Sequence, residues 1–164
     1  MSDKFKNSLE SGIHHKLGLL EGTWEGTTKT WFEPDKLEDE SPMQGTIKAI
    51  LDGRFILHEY KSSFKGAPTS GIAIIGYSFA TDSFQIAWVD SFHMGTGILF
   101  SEANSSDKLV SVLGSYGGAG MPEPWGWRTE IETPSADSLI ITAYNISPEG
   151  ESVKATETIY TRIK

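Results

Sequence analysis

From residue 20 onward, large apolar side chains alternate with small or polar ones, and this period of two continues almost to the end of the chain. Successive side chains of a strand point to opposite faces, so the pattern predicts strands with one buried face. Residues 20–32, LEGTWEGTTKTWF, are the first example and contain the threonine and aromatic residues that strands favour. The predicted strands cover residues 20–32, 43–51, 53–64, 70–80, 83–91, 94–102, 108–116, 125–133, 138–146 and 152–163.

Turn-forming residues separate these strands. They are Asp52-Gly53, Lys65-Gly66-Ala67-Pro68, Thr81-Asp82-Ser83, Asn104-Ser105-Ser106-Asp107, Pro134-Ser135-Ala136-Asp137 and Ser147-Pro148-Glu149-Gly150. Short connections predict antiparallel hairpins, and a long meander of hairpins usually hides its edges by closing on itself. We therefore expect an all-β protein, an antiparallel up-and-down β-barrel of about 8–10 strands with room for side chains or one small ligand. A two-sheet sandwich is the alternative.

The first residues of the chain have a helical period instead. One apolar stripe recurs at steps of four and three residues: Phe5, Leu9, Ile13, Leu17 and Leu20. Gly12 interrupts this stripe, so it fits two short helices as well as one. We expect residues 1–19 to form a helical cap on one end of the barrel, residues 20–163 to form the barrel itself, and residues 1–164 to be a single domain.

Two stretches break the alternation. Residues 33–42, EPDKLEDESP, are acidic and polar, and we interpret them as an exposed loop. Residues 117–124, GGAGMPEP, are rich in Gly and Pro, which are poorly suited to a strand interior. We expect this second stretch at the mouth of the barrel, where loops often carry function.

Charge and composition exclude several classes of function. The net charge of −8 over 164 residues argues against binding to nucleic acid or to anionic membranes, both of which favour basic surfaces. The chain contains no cysteine, so disulfides, thiolate catalysis and zinc–thiolate sites are excluded. It has neither the apolar core of a secretory signal nor an apolar run of about 20 residues that would span a membrane. We expect a cytoplasmic protein, monomeric or homodimeric.

Two motifs resemble those of the lipocalin-like (calycin) barrels. These proteins carry Gly-x-Trp on the first strand and an Arg on the last, and Gly22-Thr23-Trp24 and Arg162 match those places. The resemblance implies that Trp24 plugs the closed end of the barrel. It also implies that the Arg162 guanidinium stacks over the Trp24 ring in a cation–π contact.

A larger set of residues is similar to an uncharacterised, mostly bacterial lipocalin-like family known as a domain of unknown function. The matching residues are His15, Gly22-Thr23-Trp24, Trp31, Pro34, Gly53-Arg54-Phe55, Gly66, Gly71, Gly76-Tyr77, Trp88-Val89-Asp90-Ser91 and Glu157-x-x-Tyr160-Thr161-Arg162. The sequence departs from the family pattern at Ser78, where Asp is usual, and at Asp52, where a second Gly is common. The family has no settled activity, so the resemblance implies a fold and leaves the function open.

Candidate functional residues lie on one predicted strand and the turn after it. Trp88 and Asp90 share a face with Phe84 and Ile86, which predicts that this face is the inner one. A carboxylate near apolar walls should have a raised pKa, as a general base or a ligand anchor requires. The alternative is that Asp90 ends its strand and accepts hydrogen bonds from turn amides. His93, in that turn, is close enough in sequence to reach Asp90.

Two further strands offer polar and aromatic candidates. On the third strand, one face carries Arg54, His58 and Tyr60, and the other carries Glu59 and Lys61. The sequence leaves open which of the two faces lines the lumen. A buried histidine such as His58 is more often a hydrogen-bonded structural residue than a ligand or base. After the Gly/Pro-rich stretch, Trp125 and Trp127 alternate with Gly126 and Arg128, and aromatics near a mouth suit a flat or apolar ligand.

These observations favour a protein that binds a small hydrophobic or amphipathic molecule inside the barrel. The predicted ligand-binding residues are His58, Tyr60, Trp88, Asp90, His93, Trp127 and Arg128. We assign no catalytic residue, no metal and no cofactor. Adjacent His14 and His15 cannot chelate one ion from a helix, and no histidine follows His93, where some related barrels hold haem. The alternatives are an enzyme with Asp90 or His58 as general base and a structural barrel with a filled interior.

Overall fold

The computed structural model of the chain describes residues 1–103 and 107–164. Two short helices come first, α1 (Asp3–Ser11) and α2 (Ile13–Gly18). The strands that follow are β1 (Gly22–Glu33), β2 (Lys36–Ile50), β3 (Phe55–Phe64), β4 (Ala67–Ser78), β5 (Ser83–Asp90), β6 (Leu99–Ala103), β7 (Val110–Tyr116), β8 (Trp125–Ser135), β9 (Ser138–Ile146) and β10 (Ser152–Ile163). No helix in this part of the chain is long and apolar enough to cross a membrane.

The strands form a closed antiparallel barrel. Each strand pairs with its neighbours in the sequence, and β1 also pairs with β10, in a register that sets Thr23 opposite Ile163. Closure satisfies the backbone groups that an open sheet would leave at its two edges. The predicted up-and-down barrel is therefore confirmed, and the two-sheet sandwich is not what forms.

The helical cap consists of two helices because Gly12 separates them. The backbone of Gly12 is extended, and a Cβ there would lie 2.7 Å from Cα of Ser8, so a larger residue would force the two helices apart. Ser2 caps α1, its hydroxyl accepting a hydrogen bond of 3.3 Å from the amide of Phe5. The sequence left open whether the N-terminal segment forms one helix or two, and the structure has two.

Trp24 closes the end of the barrel beneath the helices. It is buried together with Leu17, Leu20 and Tyr160, and its indole N–H donates to the carbonyl of Leu20 at 3.0 Å. The guanidinium of Arg162 lies 4.2 Å from the centre of the Trp24 ring. Both features that the family resemblance implied for this end of the barrel are confirmed.

Two predicted boundaries are wrong in the structure. Residues 33–42 are not a loop, because the turn involves only Pro34 and Asp35 and strand β2 begins at Lys36. The first residues of β2 are polar since both of their faces meet solvent, and Lys65 pairs with Glu38 across this extension. The strand predicted to begin at residue 94 begins at Leu99 instead, after a longer loop. The predicted turn over residues 104–107 includes residues 104–106, which lie outside the described part of the chain.

The burial of its side chains shows which face of β3 lines the lumen. Ile56 and His58 are buried in the barrel, whereas Glu59 faces outward and pairs with Lys48 at 3.1 Å. Arg54 is an exception to the predicted inner set, because it precedes the first residue of β3. Its guanidinium lies over the ring of Phe5 at 4.8 Å, in contact with the helical cap and outside the lumen.

Candidate ligand site

A cavity of about 120 Å³ lies inside the barrel, between the Trp24 plug and the end away from the helices. Aromatic side chains from three strands and one loop form part of its wall: Tyr60, Phe64, Trp88, Phe92 and Trp127. Hydroxyl groups of inward-facing residues form another part: Thr28, Thr30, Ser101, Thr129, Thr156 and Thr158. A mainly apolar wall with a few convergent polar groups is typical of small-molecule sites.

Trp88 and Trp127 form a flat aromatic surface in the cavity wall. Their rings are stacked, with centroids 5.3 Å apart and an interplanar angle of 18°. The Trp88 indole N–H donates to the hydroxyl of Tyr60 at 2.9 Å, which fixes both side chains. Gly71 makes this possible, because a Cβ there would lie 2.2 Å from the Tyr60 hydroxyl oxygen. The pair offers one rigid aromatic face to an occupant of the lumen.

His58 lies deeper, toward the closed end. Its Nε2 is 3.1 Å from the hydroxyl oxygen of Tyr160, within hydrogen-bonding distance. Burial without a charged partner lowers the pKa of His58 to about 4. Burial likewise raises the pKa of Tyr160. It also raises the pKa of Tyr60, where the negative charge of Asp90 adds to the effect and the hydrogen bond from Trp88 opposes it. The deep part of the lumen is therefore polar and uncharged at neutral pH.

Asp90 ends β5 and organises the loop that follows. Its Oδ1 accepts hydrogen bonds from the backbone amides of His93 and Met94, both at 2.8 Å. Its Oδ2 lies 2.6 Å from Nδ1 of His93. Burial acts to raise the pKa of Asp90, but the hydrogen bond of the His93 ring, its charge when protonated and the two amides together hold the pKa below its usual value.

The prediction of a raised pKa for Asp90 is therefore wrong. The physical reason is that strand-end geometry supplies hydrogen-bond donors that stabilise the carboxylate more than the apolar wall destabilises it. The alternative interpretation, in which Asp90 accepts hydrogen bonds from turn amides, describes what is observed. The carboxyl group nevertheless lies in the wall of the cavity, because its side chain also lines the lumen.

His93 and two phenylalanines surround the mouth of the cavity. The His93 ring lies 5.6 Å from the Trp88 ring and 5.4 Å from the Trp127 ring, centroid to centroid. Phe92 stacks on Phe64 at 4.6 Å. Neither phenylalanine is among the site residues predicted from the sequence. Phe64 could have been predicted, because it lies on the same face of β3 as His58 and Tyr60, at alternating positions along the strand.

Six of the predicted residues therefore line one cavity: His58, Tyr60, Trp88, Asp90, His93 and Trp127. Arg128 is not brought to it. It follows an inward-facing residue, so its side chain points outward, where the guanidinium lies 4.4 Å from the centre of the Tyr144 ring. It also forms an ion pair of 3.0 Å with Glu130 and donates to the hydroxyl of Ser152 at 3.2 Å.

The arrangement of titratable side chains offers little to a metal ion. Within residues 1–103 and 107–164, no group of three or more His, Asp or Glu side chains is placed to hold one. What the cavity can offer is an aromatic face, neutral hydrogen-bonding groups and the Asp90–His93 pair.

The fold and the site define a class of protein, a closed ten-stranded antiparallel barrel with a small internal cavity and a helical cap. The chain belongs to the family of proteins of unknown function DUF1579, whose model matches residues 10–162. A search of curated proteins gave no match. Among solved structures, the chain is similar to the S-type phycobiliprotein lyase CPES from Guillardia theta, with a TM-score of 0.55 and 10% identity over 97% of each chain. At that identity the likeness concerns the fold alone.

Proposed function

We propose that this protein is a lipocalin-like binding protein that holds one small, partly apolar and uncharged molecule inside the barrel. The observation that carries the proposal is the stacked Trp88–Trp127 pair, which forms one wall of a cavity partly open to solvent. Aromatic rings prefer offset-stacked or edge-to-face neighbours, and the pair presents a fixed face for either arrangement. An interior filled by its own side chains would not leave this face available.

The size of the cavity limits the ligand. Its volume is about 120 Å³. An apolar cavity of about 150 Å³ in another protein is large enough for benzene. The cavity is therefore somewhat smaller than one that holds benzene, so a ligand with a single aromatic ring fits if its substituent extends toward the mouth. A larger molecule would have to extend past Phe64 and Phe92 at the mouth.

The charges around the cavity limit the ligand further. His58 is neutral at pH 7, since its pKa is about 4, and the raised pKa values of Tyr60 and Tyr160 keep both phenols protonated. The Asp90 carboxylate already has hydrogen-bond partners on both oxygens. An anionic ligand would meet the like charge of Asp90, and a cationic one would have to displace the donors that already hold this carboxylate, so either would lose its hydration without full compensation. Hydroxyl, carbonyl and amide groups suit this lumen better.

The test is calorimetric titration with matched pairs of small aromatic compounds. We expect phenol, benzyl alcohol and acetophenone to bind, and benzoate and benzylamine to bind at least about 10-fold more weakly, since burying their charge is unfavourable. Trp127→Leu should weaken binding of the neutral compounds. Trp31→Leu is the matched control, because Trp31 lies outside the cavity lining and its ring contacts Lys154.

A second measurement identifies a natural ligand. Protein purified gently from its own host is weighed by native mass spectrometry, and any released small molecule is identified after denaturation. A stoichiometric neutral compound would support the proposal. A bare protein mass, together with no binding of any of the five compounds, would leave the structural barrel with a filled interior as the better description.

A further inference from the structure

The Asp90–His93 pair is a fixed, hydrogen-bonded arrangement in the cavity wall that the binding proposal leaves without a role. Asp90 is held on both oxygens, with two backbone amides on Oδ1 and the His93 ring on Oδ2. Its side chain is 4% exposed and that of His93 is 25% exposed. The carboxylate is therefore fixed at the end of a strand, and the imidazole is fixed against it at the cavity mouth.

This geometry determines which nitrogen of His93 is basic. The pKa of Asp90 lies below its usual value, so the group is a carboxylate at neutral pH and can only accept a hydrogen bond. The neutral ring of His93 must then carry its proton on Nδ1, which donates to Asp90 over 2.6 Å. Its Nε2 keeps a lone pair and has no hydrogen-bond partner within the described residues. A carboxylate that orients a histidine in this way is a recurrent feature of general bases.

A hydrogen-bond donor, the Tyr60 hydroxyl, also lies next to Trp88. The Tyr60 hydroxyl accepts from the Trp88 indole N–H at 2.9 Å, so its own proton remains available to a molecule in the cavity. Its raised pKa keeps that proton in place. His93 and Tyr60 both contact Trp88, from the mouth and from the interior. One lumen thus contains a base and a neutral donor for a developing negative charge.

His58 is less suited to the role of base. Its pKa of about 4 means that its lone pair binds a proton weakly at pH 7. Efficient general bases have a pKa near the working pH. Its Nε2 is also within hydrogen-bonding distance of Tyr160. His58 fits a role in positioning a polar group of the ligand.

We propose that the cavity is a proton-transfer site for small neutral ketones, with His93 as the general base, Asp90 as its positioning residue and Tyr60 as the donor to the oxygen. This proposal rests on the proposed binding function. The Nε2 lone pair of His93 forms an N–H bond with a proton from the carbon next to the carbonyl. The electron pair of that C–H bond becomes the C=C bond of an enolate. The enolate oxygen accepts a hydrogen bond from the Tyr60 hydroxyl, which keeps its proton. Return of the proton to the same carbon or to a conjugated one restores the base and consumes no other reactant.

The probe is acetophenone, a neutral ketone with one aromatic ring, whose methyl hydrogens exchange with solvent through its enolate. The protein is incubated with acetophenone in D₂O, and loss of the methyl signal is followed by proton NMR. Binding of acetophenone to the same samples is measured by calorimetry. We expect the wild-type protein to catalyse the exchange and His93→Gln to lower the rate by about 100-fold or more, the usual contribution of a general base.

Asp90→Asn separates orientation from structure. The Asn side-chain oxygen can still accept the two backbone amides, which preserves the loop. Its NH₂ group, however, would donate to Nδ1 of His93 and so place the ring proton on Nε2, where the base is needed. We expect exchange to fall by about 100-fold or more while the affinity for acetophenone changes by less than about twofold, because only the reactive step is affected.

His15→Gln is the matched control, because His15 is exposed on α2 and does not line the cavity. This variant should exchange acetophenone at the wild-type rate. Binding of acetophenone without catalysed exchange, or exchange that survives both His93→Gln and Asp90→Asn, would overturn the proton-transfer proposal and leave the binding proposal intact. Failure of acetophenone to bind the wild-type protein would count against both.

Discussion

At the scale of single residues, His58 is a titratable group that the fold keeps uncharged. Its pKa falls from 6.5 to about 4 on burial, so between these two pH values the unfolded chain binds a proton there and the folded chain does not. The unfolded state is then favoured as the pH falls, and the free energy of unfolding decreases. The contribution is fully present above pH 6.5, and its loss is complete once the pH has fallen through about 4.

The first prediction follows from this linkage. We expect the wild-type protein to lose about 3 kcal/mol more stability than His58→Gln when the pH is lowered from 6.5 to about 4. Urea unfolding at a series of pH values measures this difference. His15→Gln is the control and should follow the wild-type curve, because it keeps His58. If the stability of the wild-type protein and of His58→Gln fell in parallel with pH, the His58 ring would not be the cause of the acid destabilisation.

The sequence could predict most of the site because the lining residues share an inward parity. On β5, Trp88 and Asp90 alternate with outward residues and share a face with Phe84 and Ile86, so the rule of alternation places both inward. On β3 the same rule puts His58 and Tyr60 on one face, but only the structure shows that this face is the inner one. The same rule places Arg128 outside, directly after an inward Trp. The direction of the Asp90 pKa shift was beyond the sequence, since it depends on two amides whose positions are fixed only when the loop folds.

At the scale of elements, Arg162 joins the last strand to the segment that leads into the first. Its guanidinium stacks on Trp24 and donates to the backbone carbonyls of Leu19 at 2.9 Å and Ala136 at 3.0 Å. It also donates to the carbonyl of Glu21. One side chain thus links the end of the helical cap, β1 and the β8–β9 turn.

The second prediction concerns this link. We expect Arg162→Lys to lower the free energy of unfolding by about 2 kcal/mol, because an ammonium group cannot stack on the ring and reach several carbonyls at once. Chemical denaturation measures the change. Arg128→Lys is the control, since that guanidinium also stacks on an aromatic ring but contacts no backbone carbonyl in the described part of the chain. Equal losses in the two variants would mean that stacking alone accounts for the effect.

Element boundaries were the weaker part of the sequence prediction, for a physical reason. Alternation is visible only where one face of a strand is buried, as in the central part of β2 around Met43 and Ile47. The first residues of β2 have solvent on both faces, so their polar composition looks like a loop although the backbone is extended. The helix break at Gly12 had a visible cause, but an isolated glycine does not by itself decide between a kink and a separation.

At the scale of the whole molecule, closure depends on β10, which pairs with both β1 and β9. The third prediction is that a chain ending after Ile146 does not form the barrel, because β1 and β9 would both expose an unpaired edge. Circular dichroism, cooperative thermal unfolding and size-exclusion chromatography report the outcome. A chain without residues 1–11 is the control, since it keeps all ten strands. A soluble monomer with cooperative unfolding from the shorter chain would contradict the prediction.

The pairing of β1 with β10 also has a consequence for the way this protein is made. Trp24 is synthesised early, but its partners Tyr160 and Arg162 belong to the last of the ten strands to leave the ribosome. A barrel dominated by such distant contacts folds slowly compared with a helical bundle, because the chain must first close a long loop. During translation the nascent protein is an incomplete sheet with unpaired strand edges, which can pair with other chains. We therefore expect it to depend on chaperones until residue 163 has emerged from the ribosome.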